Sequence, residues 1–146
     1  MRLYTIGFTQ KHAETFFELL QRNGIQRLVD IRISPSGQLS GFARKEDLPY
    51  FLDRLAGGCA YLHLPELAPA KEILTDYRAG GDWNRYVLRF EMLMDERGIP
   101  ATLRRGDFEA QISCLLCSEA TPEQCHCRLV AERLAAYWPH VEIIHL

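Results

Sequence analysis

Apolar residues fall along this chain in short blocks whose period switches repeatedly. Leu3 to Ile6 is a brief apolar run that stops at Gly7, the pattern of a short strand. From Lys11 to Asn23 the spacing lengthens. Ala13, Phe16, Phe17 and Leu20 recur at helical intervals, and Asn23-Gly24 is a stop signal. Arg27 to Ile33 predicts a second strand and Ser34 to Gly41 a loop rich in Ser, Gly and Pro. A helix over Glu46 to Leu55 follows, ended by Gly57-Gly58. Ala60 to Leu64 predicts a third strand, and Pro69 to Arg78 a helix. Beyond Ala79-Gly80-Gly81, Asp82 has the chemistry of an N-cap, and Trp83, Tyr86, Val87, Phe90 and Met94 make one apolar helical stripe. Ile112 to Leu116 predicts the fourth strand, Glu123 to Trp138 the last helix, and Val141 to Leu146 the fifth strand. Thr121 and Gln124 have capping-box spacing, with Pro122 at the first helical position.

Strands alternating with helices imply an α/β three-layer sandwich. A mainly parallel five-stranded sheet is expected, with helices on both faces, in a single domain spanning residues 1–146. Strand one, short and apolar, is expected at the centre. Right-handed crossovers place every strand's C-terminal end on one edge, where ligands of open α/β sheets bind. Strand one brings Gly7 and Thr9 to that edge. Strand two and its loop bring Asp30, Arg32, Ser40 and Phe42, and strand three brings His63. Strand four brings Cys117, Ser118 and Glu119, and the next helix opens with Cys125, His126 and Arg128.

Charge narrows the classes of partner. A net charge of −2 excludes a broad basic face for duplex nucleic acid, although Arg32, Arg44 and Lys45 leave room for a local basic patch. No run approaches the length of a membrane helix and no basic-then-apolar leader opens the chain. A cytoplasmic protein without membrane contact is the expectation. Five cysteines suit metal or thiol chemistry in a reducing compartment better than a disulfide framework. Cys59 and Cys114 read as small core residues.

Four of the five cysteines fall within the fourteen residues Cys114 to Cys127. Three functional classes compete for them. In the first, the protein is an enzyme. Cys117 or Cys125 is a nucleophile or redox thiol activated by the helix dipole and by Arg32 or Arg128. His126 or His63 is the acid/base and Glu119 orients a histidine or water. Gly7, Thr9, Asp30, Arg32, Ser40, Phe42 and Arg128 then bind an anionic substrate, nucleotide-like or derived from nucleic acid. Helix geometry turns His126 and Cys127 toward the sheet and Cys125 and Arg128 away from it, though close enough to reach the mouth. An anion is expected between Cys117 and the amides of Glu123 to Cys125. In the second class, a zinc- or iron-dependent hydrolase or sensor uses the same residues. Cys114 and Cys117, three apart on a strand, face opposite sides about 10 Å apart and cannot share an ion. That leaves Cys117 and Cys125 with His126 or His63. The third class is a non-catalytic module that binds a nucleotide or a nucleic-acid end. No sequence feature names a cofactor. Against all three stand structural readings: Asp30 bonded to backbone groups of the neighbouring loop, Arg32 in an ion pair with Asp30 or Glu119, a half-buried His63, and Cys127 as a core thiol.

Tyr4-Thr5-Ile6-Gly7, Asp30-Ile31-Arg32, Tyr61-Leu62-His63, and Leu115-Leu116-Cys117-Ser118-Glu119 followed by Pro122 and Cys125-His126 carry a resemblance. The chain resembles, over nearly its whole length, the domain of unknown function 488 family. The resemblance implies a small prokaryotic α/β protein with an unassigned enzymatic site. That family's pattern continues Cys-His-Arg-Arg. Here Cys127 stands at the first arginine position and Arg128 follows it.

Overall fold

The computed structural model describes residues 1–119 and 121–146. Five strands form one sheet: β1 (Arg2–Gly7), β2 (Arg27–Asp30), β3 (Ala60–His63), β4 (Ser113–Cys117) and β5 (Glu142–His145). Their order is β3-β2-β4-β1-β5 and every pairing is parallel. The expected sandwich is therefore present, but β4 rather than β1 is central. β4 has all five residues buried and hydrogen-bonds to strands on both sides, whereas β1 lies one place out, beside β5.

Alternation along the strands sorts two cores onto opposite faces. Tyr4, Ile6, Leu28, Cys114 and Leu116 pack against α1 (Ala13–Arg22) and α2 (Leu48–Leu55), which contribute Phe16, Phe17, Leu20, Leu48 and Leu52. Leu3, Val29, Ile31, Leu115 and Cys117 pack against four helices on the other face. These are α3 (Lys71–Arg78), α4 (Trp83–Glu96), α5 (Arg105–Ala110) and α6 (His126–Tyr137). Cys114 and Cys117 thus face opposite sides of the sheet, as their spacing requires. The stripe of Tyr86, Phe90 and Met94 is core, and Asp82 caps α4 by accepting from the Arg85 amide at 3.2 Å. Among the described residues no helix is long and apolar enough to cross a membrane.

Two of the boundary differences from the sequence expectation shape the site. β2 stops at Asp30, because the Asp30 carboxylate captures the Arg32 amide at 3.2 Å and bends the chain out of the sheet. The last helix starts at His126, with Cys125 as its extended N-cap, and not at Glu123. The capping box does not form. Thr121 hydrogen-bonds Glu123, and Gln124 Oε1 accepts from the Tyr77 hydroxyl at 2.9 Å. α5 had no counterpart in the hydrophobic pattern. It is six residues long, contains Gly106, and buries one side chain, Phe108.

Candidate functional site

The direction of the chain beyond each strand decides where a ligand fits. β1 and β2 lead to helices on one face, and β4, lying between them, leads to α6 on the other. A crevice therefore opens on each side of the β4 end. On the β2 side it is a cleft of about 290 Å³ lined by Arg32, Ser34, Ser40, Ser118, Glu119 and His126, with Lys71, Thr75 and Arg78 from α3. On the β1 side it narrows to a gap of about 10 Å³ beside Cys117, Cys125 and Cys127. The cleft is at the lower end of small-ligand pockets, about 300–1,000 Å³.

Arg32 is 4% exposed and forms the floor of the cleft. Its Nε and Nη2 donate to the two Asp30 carboxylate oxygens at 2.8 and 2.7 Å, and Nη2 also donates to the Ala43 carbonyl at 2.6 Å. Gly41, at φ 54° and ψ −126°, kinks the loop that brings Ala43 over the guanidinium, a conformation suited to glycine. Tyr61 completes the cage by donating its hydroxyl to Asp30 at 2.6 Å. Burial and that bond hold the phenol well above its ordinary range. One donor remains. Arg32 Nη1 is buried and has no hydrogen-bond partner among the described residues. Phe8 lies under the guanidinium, 5.2 Å from ring centroid to Cζ.

Both histidines are fixed by backbone carbonyls, which can only accept. His126 Nε2–H donates to Ile31 at 2.8 Å, and His63 Nε2–H donates to Arg32 at 2.8 Å. In the neutral imidazole, Nδ1 is then the free lone pair. His126 lines the cleft. His63 sits one strand further out, on the edge strand β3, and does not line it. Its Nδ1 faces Lys45 Nζ at 3.3 Å.

The thiols lie behind the cleft wall. Cys117, Cys125 and Cys127 are each 2% exposed, and their sulfurs lie within 4.8 Å of one another. Cys117 and Cys125 approach to 2.6 Å. Cys125 turns inward, against the helical expectation, because as an extended cap it stands outside the helix whose geometry sets that expectation. Hydrogen bonds from Cys117 and Cys127 pull the Cys125 thiol far down. Burial, joined by the bond to Cys125, pushes Cys117 up, and burial does the same to Cys127.

The other expected binding residues fall elsewhere. Gly7 lines the small gap. The Thr9 hydroxyl donates to the Ser118 carbonyl and tethers the loop after β4. Phe42 packs among Phe8, Phe16 and Phe17. Arg128, in the first turn of α6, points along the helix to Glu132 at 3.8 Å. The amides of Glu123 to Cys125 precede α6, so no helical first turn presents them to an anion. Sequence reasoning missed Lys71 and Arg78. Their signal was present, since Lys71, Leu74, Thr75 and Arg78 recur at i, i+3, i+4 and i+7 and form one face of α3, turned to the cleft.

An all-parallel, doubly wound α/β domain with a cationic cleft where the strand order reverses is the class that fold and site define. Within that class, the chain belongs to the family described as Domain of unknown function DUF488, which matches residues 12–134. The matched span holds every residue lining the cleft and the three clustered cysteines, and leaves out β1 and β5. No curated protein and no solved structure matches the chain.

Proposed function

We propose that this protein is an enzyme that binds a small anionic compound, nucleotide-like in size and charge, in the cleft between β2, β4 and α3. The observation that carries the reading is the unpartnered Nη1 of buried Arg32 in a cleft that also receives Lys71 and Arg78. A buried guanidinium with one unused nitrogen is strongly stabilised by an oxyanion. Lys71 and Arg78, on the exposed wall, add attraction that salt screens. Glu119 and His126 face the same space, so the acid/base work falls to them. His126 Nδ1 is the proton acceptor and Glu119 the partner that orients water or substrate. The cysteines are shielded from the ligand by their burial, which moves the reactive role away from Cys117 and Cys125. Five free thiols, three of them clustered, suit a reducing compartment such as the cytoplasm.

Thermal shift with inorganic phosphate and a panel of nucleoside monophosphates tests binding. Stabilisation is expected in the wild type and is expected to shrink in Lys71→Ala/Arg78→Ala. An equal shift in that double variant removes the cleft as the binding site. Turnover of the bound compounds is then followed in wild type and His126→Gln. Retained binding without turnover in the wild type identifies a binding module instead of an enzyme.

A further inference from the structure

We propose that Cys117, Cys125 and Cys127 form a metal site for a thiophilic ion, with zinc as the expected occupant, separate from the anion cleft. The three residues arrive from two elements that meet only in the folded chain. Cys117 ends β4, Cys125 caps α6, and Cys127 is the second residue of that helix. Their sulfurs lie within 4.8 Å of one another, and each residue is 2% exposed.

The surroundings favour sulfur as a ligand. The Cys127 amide donates to Cys125 Sγ at 3.3 Å, which supports negative charge on that sulfur. The N-terminal end of twelve-residue α6 adds its partial positive charge to Cys125 and Cys127. The set is all sulfur, because His126 faces the anion cleft and His63 lies out on edge strand β3 with its Nδ1 against Lys45. Thiolate-rich sites select soft ions over magnesium or calcium.

Space and a fourth ligand are both at hand. The gap of about 10 Å³ beside the three sulfurs is also lined by Glu119 and His145. A site of that size takes roughly one water-sized species. Tetrahedral zinc with Zn–S bonds of about 2.3 Å sets its sulfurs about 3.8 Å apart. Side-chain rotation must therefore open the 2.6 Å Cys117–Cys125 approach. The thiol protons leave to solvent as the metal enters. Such an ion joins the end of β4 to the start of α6, and so fixes Glu119 and His126 from behind. The inference stands whether or not the cleft binds an anion.

The full chain, prepared anaerobically with reductant and stripped with a chelator, is titrated with zinc against a chromophoric chelator, and separately with cobalt(II). One equivalent of zinc per chain is expected, together with a sulfur-to-cobalt charge-transfer band. Cys127→Ser is expected to weaken zinc binding by more than about 100-fold, since removing a ligand costs more than disturbing its outer shell. Cys59→Ala is expected to bind as the wild type does. Circular dichroism checks the fold of each variant, and Cys127→Ala replaces the serine variant if that one does not fold. Absence of the charge-transfer band in the wild type overturns the proposal. So does unchanged zinc affinity in a folded Cys127 variant, or a Cys117–Cys125 disulfide in the reduced anaerobic protein.

Discussion

Asp30 grips Arg32 through two parallel hydrogen bonds, 2.8 and 2.7 Å, in an ion pair with side chains 0% and 5% exposed. Two residues apart in sequence, they form a hook that ends β2 and leaves one guanidinium nitrogen unused at the cleft. The pair is structural and also part of the candidate site. Its cost as a buried pair is offset only while both partners are present.

Breaking that pair from one side should therefore be severe. Asp30→Asn leaves a buried guanidinium without its counter-charge and removes an acceptor for Tyr61. A loss of about 3–5 kcal/mol in urea unfolding is expected. Replacing both members, Asp30→Leu with Arg32→Met, should recover most of that stability, because no unpaired charge is then buried. The double variant should nevertheless give no thermal shift with phosphate. A double variant as unstable as Asp30→Asn would show that the surrounding cage, and not the pair, limits stability.

Lys71 and Arg78 should behave in the opposite way. Both are exposed on α3, so either alanine substitution should change stability by less than about 0.5 kcal/mol. Phosphate affinity should fall by about 1 kcal/mol for each, roughly fivefold, and the loss should shrink as salt rises. Isothermal titration at two ionic strengths reads both effects. Salt-independent losses would place the two cations outside the ligand's field.

These two predictions rest on features of unequal visibility in the sequence. Strand and helix order was legible because short apolar runs alternate with period-3.6 blocks, and Gly-containing breaks separate most of them. Arg32, Glu119 and His126 were legible as cleft residues because parallel topology sends strand ends to one edge. The centrality of β4 was not legible, since burial on two faces looks the same in any short apolar run. Cys125 was misplaced because the expected helix start, at Pro122, put it inside a helix whose angular spacing it does not follow, since it is the extended cap of α6. Local cap chemistry at Thr121 and Gln124 was outweighed by Cys125, whose sulfur accepts from the Cys127 amide. His63 was set apart by strand order, which hydrophobic spacing does not encode.

Alkaline pH should destabilise the fold earlier than ordinary surface groups would. Burial pushes Cys59 up to about 11, and it raises Cys114 and Tyr61 as well. The neutral forms are favoured in the folded state. Above pH about 9, unfolded thiols release protons that the folded ones keep, so the unfolded chain binds fewer protons and stability falls with rising pH. Stability from Cys59 is intact below about 9 and is lost by about 11. In Cys59→Ala the slope of unfolding free energy against pH across that window should be shallower by up to one proton, about 1.4 kcal/mol per pH unit. Parallel slopes in the two proteins would mean that Cys59 does not contribute to the alkaline loss.

The hydrogen bonds of the histidines lead to a prediction that needs no substrate. Carbonyl oxygens of Ile31 and Arg32 accept from Nε2 of His126 and His63 at 2.8 Å each. A carbonyl has no proton to give, so Nε2 must carry hydrogen in both rings. For His63 the assignment is reinforced, because Nδ1 faces Lys45 Nζ at 3.3 Å and an ammonium can only donate. In the neutral protein both rings should therefore be Nε2–H tautomers, with Nδ1 unprotonated. Long-range proton–nitrogen correlation spectra above the ordinary imidazole range distinguish the two tautomers directly. His126→Phe should remove the donor to Ile31 and cost about 1–3 kcal/mol, whereas His126→Gln offers a replacement amide donor and should cost less. An Nδ1–H tautomer at His126 would break the bond to Ile31. It would also leave no lone pair on Nδ1, and His126 could not then serve as the proposed base of the cleft.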